Sequence, residues 1–328
     1  MKVSWIIAAL AIAAALAAPF VMYPVLLMKL LCFALFACAF NLLIGYTGLL
    51  SFGHAAFFGG AGYIGGYVIR DMGMPFEVGV IAGTVFGALI GLVMGALAIR
   101  RQGIYFTMIT LALAQMLYFI FLQAPFTGGE DGLQGIPRTM LFGVIDLNDD
   151  LTLYFVILAI CIGAYALIVR TVHSPFGQVL KAIKENEPRA ISLGYDVDRY
   201  KLLAFVLSAA LAGLAGSTKA AALGFETLTD VHWTMSGLVV LMTLVGGMGT
   251  LAGPIVGAIV IIMLENRIGE FGIWLAVVTD VPWFRSLGEQ VTIVTGFIFI
   301  VVVLAFRRGI VGEIEAWNAR RKARLQVS

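Results

Sequence analysis

The sequence contains little charge for its length. Charged residues make up 12% of the 328 positions, about half the share that a soluble domain normally carries. Hydrophobic residues make up 61%, and the mean hydropathy is +1.00. Several apolar runs approach the roughly 20 residues that a helix needs to cross a bilayer, and they are continuous rather than alternating. These features exclude a soluble enzyme and a β-barrel and predict a helical membrane protein.

Reactive and metal-binding side chains are also scarce. The three histidines are far apart in sequence and form no ligand spacing, so no metal site is predicted. The three cysteines all lie inside apolar runs: Cys32, Cys38 and Cys161. We interpret them as buried free thiols rather than as a disulfide framework.

Motifs for catalysis and energy coupling are missing as well. No G-x-x-x-x-G-K-[ST] phosphate loop is present, so this chain is not expected to hydrolyse ATP. The segment 60–65 matches G-x-G-x-x-G, but it lies in an apolar run without a preceding strand, which argues against a dinucleotide site. No predicted span has an Asp or Glu at its centre, which disfavours an ion-driven transporter. We therefore predict no catalytic residue, no cofactor bound by this chain and no nucleic-acid partner.

The apolar runs predict an all-α polytopic protein with about ten transmembrane helices, some of them short or broken at glycines. The N-terminal run resembles a signal peptide, but its length favours a retained first helix. The remaining predicted spans are 24–44, 45–70, 76–99, 104–122, 152–169, 202–223, 235–247, 251–265 and 290–306. Residues 267–289 are mixed in character and are expected to be partly interfacial.

The distribution of positive charge predicts that both termini are cytoplasmic. In that orientation most of the 21 Lys and Arg residues fall on inside segments, including a basic tail at 307–328. The acidic loop 124–151 then lies outside, on the periplasmic face. If 234–266 formed one span instead of two, the basic tail would lie outside. We predict a single membrane domain over residues 1–306.

One polar stretch, residues 171–201, interrupts the apolar sequence and lies on the cytoplasmic side in this orientation. Ser174 is a good N-cap before Pro175, and Glu187 opens a second short helix that Gly194 can end. An apolar stripe follows at helical spacing: Phe176, Val179, Leu180 and Ile183. This hairpin could dock against another protein, or its stripe could lie on its own membrane domain.

Uncharged polar residues occur inside several predicted spans. Polar side chains within a bilayer need partners, so they should line a translocation pathway or form hydrogen bonds between helices. The candidates for the pathway are Asn41, Ser51, His54, Thr107 and Gln115.

Glycine recurs at every fourth position in two segments, which predicts helix faces that neighbouring helices can approach closely. These rows are Gly79, Gly83, Gly87, Gly91 and Gly95, then Gly249, Gly253 and Gly257.

Three ordered segments resemble a known family. They are NLLIGYTGLLSFGHAAFFGGAGY at 41–63, the hairpin with its following helix at 174–217, and LVGGMGTLAGPIVGA at 244–258. All three are similar to the branched-chain amino acid ABC permeases of the LivM type, and together they cover roughly residues 30–306. The resemblance is specific to the family and not to one substrate.

The resemblance implies partners that the chain itself lacks. These are a second permease subunit of the LivH type, two cytoplasmic ATPase subunits that use ATP and Mg²⁺, and a periplasmic substrate-binding protein, all acting at a lipid bilayer. It also implies that the hairpin couples the membrane domain to an ATPase subunit. The residues expected to carry that coupling are Phe176, Val179, Leu180, Ile183, Glu187, Ala190 and Gly194. The last three approximate an E-A-A…G motif, which Pro188 and Arg189 interrupt.

The function expected from this resemblance is ATP-driven import of branched-chain amino acids across a bacterial inner membrane. Alternatives are a urea or short-amide permease of the same family, and a secondary transporter that acts alone. The sequence does not identify the substrate.

Overall fold

The computed structural model describes residues 12–279, together with residues 296–297, 300, 309–313 and 316–317. The chain divides into two compact units, Met1–Gly237 and Leu238–Ser328. The single membrane domain predicted from the sequence over 1–306 stays a prediction. Most of the last predicted span and of the basic tail lies outside the described residues.

The first unit is built almost entirely from helices. Its helices are α1 (Pro24–Thr47), α2 (His54–Arg70), α3 (Phe76–Ala98), α4 (Ile104–Gln123), α5 (Asp150–His173), α6 (Pro175–Glu185), α7 (Glu187–Ser192), α8 (Val197–Leu223) and α9 (Leu228–Val231). Residues 12–17 are also helical, and short 3₁₀ turns lie at Ala18–Phe20, Pro125–Thr127 and Gly129–Asp131. Among the described residues, five helices are long and apolar enough to cross a membrane: α1, α3, α4, α5 and α8.

Local sequence signals mark where these helices begin and end. Pro24 occupies the first turn of α1, where its missing N–H costs nothing, and Gly48 ends that helix with φ of 77°. The Asp149 side chain accepts a hydrogen bond from Thr152 N and caps α5. The Asp196 side chain caps α8 in the same way.

Helix α8 lies at the centre of the first unit, against α1, α2 and α3. Helix α1 is buried along most of its length, as expected for a helix that is apolar on every side. By contrast α3, α4 and α5 leave large apolar side chains exposed, the pattern of helices that face lipid. The first unit therefore has a buried α1–α2–α8 core and an outer surface suited to a bilayer.

The glycine row of α3 faces this core. Its members contact α2 and α8, with Gly83 beside Ser217 and Gly87 beside Gly213. An added Cβ on Gly87 would lie 2.8 Å from the carbonyl oxygen of Ala209, closer than such atoms approach in proteins. Small residues on both helices thus allow their backbones to come together, as packing within a membrane requires.

Two short antiparallel ladders organise the segments between helices. Strand β1 (Leu133–Gln134) pairs with β4 (Phe225–Glu226), and β2 (Met140–Leu141) pairs with β3 (Ile145–Asp146). The first ladder places Leu133 opposite Glu226. It ties the loop that follows α4 to the segment that follows α8, at the end of α8 farthest from the 171–201 hairpin.

In the second unit, the described helices meet at a glycine turn. Helix α10 (Trp233–Gly246) begins in the first unit, and α11 spans Gly253–Thr279. The predicted break between two apolar segments is confirmed, but α11 continues well past residue 265. No proline lies between Pro254 and Pro282, so the backbone has no imposed stop there. At Gly257 an added Cβ would overlap the carbonyl group of Met242 on α10.

Candidate functional site: the polar hairpin and the buried polar clusters

The polar stretch forms the two short helices that the sequence predicted. Ser174 Oγ accepts a hydrogen bond from Gly177 N at 3.3 Å and caps α6, whose first residue is Pro175. Asn186 caps α7 by accepting from Arg189 N at 3.1 Å. Gly194 then adopts φ of 88°, the left-handed conformation expected of a glycine after a helix.

The apolar residues of this hairpin point inward. The interior cluster contains Ile183, Ala190 and Val197, with Val179 and Tyr200 packed around them. Leu180 is also fully buried. The ring of Phe176 stacks on that of Tyr200, with 5.6 Å between centroids. Leu180, Ile183 and Ala190 are thus unavailable for direct contact with another subunit in this conformation. Any role of theirs in coupling would be to hold the hairpin in shape.

Two lysines fix the hairpin to the rest of the first unit. Lys184 Nζ donates to the carbonyl oxygen of Gly45, near the end of α1, at 2.7 Å. Lys201 Nζ pairs with Glu187 Oε1 at 2.7 Å, and Gln102 Nε2 donates to the same oxygen at 2.9 Å. Glu187 therefore links α7, α8 and the turn between α3 and α4. We call these three bonds the lysine latches.

A cavity of about 260 Å³ lies between these segments. It is lined by Thr47, Gly48, Leu49, Gln102, Gly103, Ile183, Lys184, Glu187 and Lys201. Both latch lysines border it, together with one carboxylate. Because three separate parts of the chain meet here, a shift of the hairpin would change the volume of this cavity.

The exposed apolar surface of the hairpin lies on α7 and the turn after it. Ile191 is 57% exposed, Leu193 69% and Tyr195 41%, and Gly194 lies among them. We call Ile191, Leu193 and Tyr195 the hairpin tip. The apolar periodicity of α6 predicted a stripe on another face of the hairpin, and that stripe is largely buried. The signal for the tip was the apolar side chains on both sides of a helix-ending glycine.

The partly buried loop 48–53, between α1 and α2, holds one predicted pathway residue and contacts another. Ser51 Oγ accepts from Gly53 N at 3.1 Å within this loop. Thr107 Oγ1, on α4, donates to the carbonyl oxygen of Leu50 at 2.9 Å. Asn41 is buried on α1 and Gln115 is partly exposed on α4. These bonds satisfy groups between helices, and the assignment of a pathway to these residues stays a prediction.

His54 joins three helices at the start of α2. Its Nε2 lies 2.8 Å from Ser208 Oγ, which donates in turn to the carbonyl oxygen of Ala39 at 2.5 Å. Rings of Phe40, Phe57 and Phe205 surround it edge to face. The geometry is that of a polar link between α1, α2 and α8 inside an aromatic shell.

A buried charged cluster lies at the opposite end of α8. Lys219 Nζ is 2.7 Å from Asp230 Oδ2 and 3.2 Å from Glu226 Oε1, and it lies 5.1 Å from the centre of the Phe58 ring. We call Lys219, Glu226 and Asp230 the Lys219 cluster. The sequence showed Lys219 at a helix end, but the burial of both carboxyls was not anticipated because they follow the span.

The pKa values of the two carboxyls in this cluster are shifted in opposite directions. Burial raises the pKa of Glu226 well above its ordinary value, against the attraction of Lys219, and the charge of Asp230 raises it further. For Asp230, burial also acts upward, but Lys219 and hydrogen bonds from Lys219 and Thr227 outweigh it and lower its pKa. The folded protein thus stabilises the ionised form of Asp230 and the neutral form of Glu226, each relative to the same side chain in water.

Together the apolar helices, the glycine packing and the polar hairpin define a multi-pass helical membrane protein. The chain belongs to the family described as the branched-chain amino acid transport system permease component, whose model matches residues 22–304. The family is one of transport permeases and not of enzymes.

Several curated relatives agree with this assignment. The chain is 28% identical over 254 residues to the high-affinity branched-chain amino acid transport system permease protein LivM of Escherichia coli (strain K12). That alignment covers 70% of this chain and 60% of the relative, so it leaves about two fifths of the relative unmatched. A probable branched-chain amino acid transport permease protein LivM of Methanocaldococcus jannaschii is 24% identical, over 73% of this chain and 79% of the relative. The autoinducer 2 import system permease protein LsrC of Klebsiella pneumoniae is 30% identical, over 55% of this chain and 52% of the relative. No solved structure matches the chain.

Proposed function

We propose that this chain is the membrane-spanning subunit of an ATP-driven importer that carries branched-chain amino acids across a bacterial inner membrane. Family membership and the names of the LivM relatives support the substrate class. The absence of a phosphate loop from the sequence supports separate ATPase subunits. In this proposal the chain binds no cofactor itself, and its partners use ATP and Mg²⁺.

The proposed assembly also contains a LivH-type permease subunit and a periplasmic substrate-binding protein. A LivH relative of Methanocaldococcus jannaschii, 30% identical over 118 residues, supports a related second permease. The distribution of Lys and Arg supports about ten spans with both termini in the cytoplasm. That orientation turns the hairpin toward the ATPase subunits and the loop 124–151 toward the periplasm.

The observation that carries the proposal is the construction of the hairpin. Its interior and the lysine latches attach it firmly to α1 and α8, while the hairpin tip presents apolar side chains to its surroundings. An exposed apolar tip on a rigid base is suited to sit in a cleft of another protein. Force applied to the tip would be transmitted directly to the core helices.

Reconstitution with the ATPase subunits tests this role. Leu193→Asp changes an exposed side chain and should leave the permease folded, but should abolish copurification of the ATPase and ATP-dependent leucine uptake. Val144→Asp is the matched control, since Val144 is an 84% exposed apolar residue in the turn between β2 and β3. It should leave ATPase copurification unchanged. Copurification and uptake at the unmodified level in Leu193→Asp would contradict the coupling role.

Uptake assays with the reconstituted protein in liposomes distinguish the proposed function from its alternatives. Uptake that is driven by an ion gradient without ATP would indicate a secondary transporter. ATP-dependent uptake of urea or a short amide, without competition by leucine, would indicate the other substrate class.

A further inference from the structure

The Lys219 cluster contains one basic group and two acids. Both carboxyls and the ammonium are buried, so none of the three can be solvated by bulk water. If both acids were ionised, the cluster would carry a net negative charge at a buried site, which costs several kcal/mol per unpaired ion. A further positive charge is therefore needed here.

The two acids are not equivalent in their hydrogen bonds. Asp230 Oδ2 accepts from Lys219 Nζ at 2.7 Å, from Thr227 Oγ1 at 2.6 Å and from Thr227 N at 3.3 Å. Glu226 Oε1 has the longer contact with Lys219 Nζ, at 3.2 Å. Glu226 Oε2 is buried without a hydrogen-bond partner among the residues that the structure describes. Three donors satisfy an ionised Asp230, whereas an ionised Glu226 would leave one charged oxygen bare.

The space around Glu226 limits what could neutralise it. An added Cβ on Gly62 of α2 would lie 2.5 Å from the Glu226 Cδ, so this helix closes directly over the carboxyl. Within residues 12–279, the titratable groups that interact electrostatically with the cluster include Tyr63 on α2, Cys32 on α1 and, through Tyr63, Tyr118 on α4. The Arg138 guanidinium binds the carbonyl oxygen of Ala222 and forms its ion pair with Asp150 instead. Phenols and thiols carry no positive charge in either protonation state. Strand β1, which pairs with this segment, contributes only uncharged residues.

We propose that the Glu226 carboxyl is a proton-binding site, held as a neutral acid beside the Lys219–Asp230 ion pair. A proton needs no space of its own between Glu226 and α2, and it converts the bare Oε2 into a hydroxyl. The proton would pass to water when residues 224–232 separate from α2 and expose the carboxyl. Desolvation, which raises the pKa of Glu226, acts in the same direction. This inference does not depend on the substrate or on the ATPase partners.

Infrared spectroscopy of the full-length chain in detergent at pH 7 tests the site, through the C=O stretch of a protonated carboxylic acid. The unmodified protein should show one such group per chain. Glu226→Gln, which mimics the neutral acid, should fold normally and lose the band. Asp230→Asn should also lose it, because Glu226 then becomes the sole partner of Lys219 and ionises.

Glu77→Gln is the matched control. Glu77 is a partly buried carboxyl on α3 whose Oε2 also has no hydrogen-bond partner in the described part of the chain. The band should persist in this variant. A band that survives in Glu226→Gln, or its absence from the unmodified protein at pH 7, would refute the proposal.

Stability provides a second readout. Because the folded state raises the pKa of Glu226, its contribution is greatest below the ordinary Glu value and is lost as pH rises through the folded pKa. The melting temperature of the unmodified protein should therefore fall relative to that of Glu226→Gln as pH increases. Parallel pH profiles for the two proteins would contradict the proton site.

Discussion

Removing Lys201 should loosen the hairpin from the membrane domain without disturbing its helices. The Lys201 side chain is 4% exposed and pairs with Glu187, which is 22% exposed. Lys201→Met keeps the apolar stem and removes the ammonium. Glu187 is then left with Gln102 as its remaining partner across the latch.

The size of this effect follows from the burial of the pair. Breaking a fully buried ion pair costs about 3–5 kcal/mol, since one charge remains uncompensated. Glu187 is partly accessible and keeps the Gln102 bond, so part of that cost is recovered by solvation. We expect a loss of about 2 kcal/mol, which is about a 30-fold change in an opening equilibrium.

Hydrogen exchange of the α6 and α7 amides measures that opening directly. Lys201→Met should speed exchange about 30-fold, and in a Glu187→Gln background the same change should have less than about a threefold effect. Arg199→Met is the control, because Arg199 is 83% exposed and its ion pair with Asp196 should contribute under about 1 kcal/mol. Equal effects of Lys201→Met in both backgrounds would show that the latch does not hold the hairpin.

Three further predictions concern packing and pH. Gly83→Ala should destabilise the α3–α8 contact by at least about 1 kcal/mol, because its Cβ would meet the backbone of α2 and the Ser217 side chain on α8. Gly163→Ala, on a helix face with open space, should be neutral or stabilising in the same thermal melts. Leu180→Ala should lower the free energy of unfolding by about 2–5 kcal/mol and make the hairpin sensitive to proteolysis, whereas Leu203→Ala, at an exposed position, should change it by less than about 0.5 kcal/mol. Similar protease sensitivity of the two variants would contradict the inward orientation of the stripe. Because the folded state lowers the pKa of Asp230, its stabilising contribution is present above the ordinary Asp value and is lost as pH falls, so the melting temperature of the unmodified protein should approach that of Asp230→Asn on acidification.

Much of this architecture could be predicted from the sequence. Apolar runs mark the helices because each must satisfy its backbone hydrogen bonds within itself in a bilayer. The turn around Gly249 breaks the span at 234–266, and the caps at Ser174 and Gly194 mark the hairpin, because these depend on neighbouring residues alone. The boundary of α11 was less accurate, since a mixed stretch without proline can remain helical.

What the sequence alone determined was therefore local: helices, turns, the polarity of each segment and the family. Only the tertiary structure decided which side of the hairpin is free. Periodicity shows that Ile183 belongs to an apolar face, but it does not show that Ala190 and Val197 cover that face. The tertiary structure also decided that Glu226 and Asp230, outside any span, meet Lys219 in the interior. Whether a charged side chain is buried depends on the chain around it. Residues that follow a helix become buried only when other segments fold back over them.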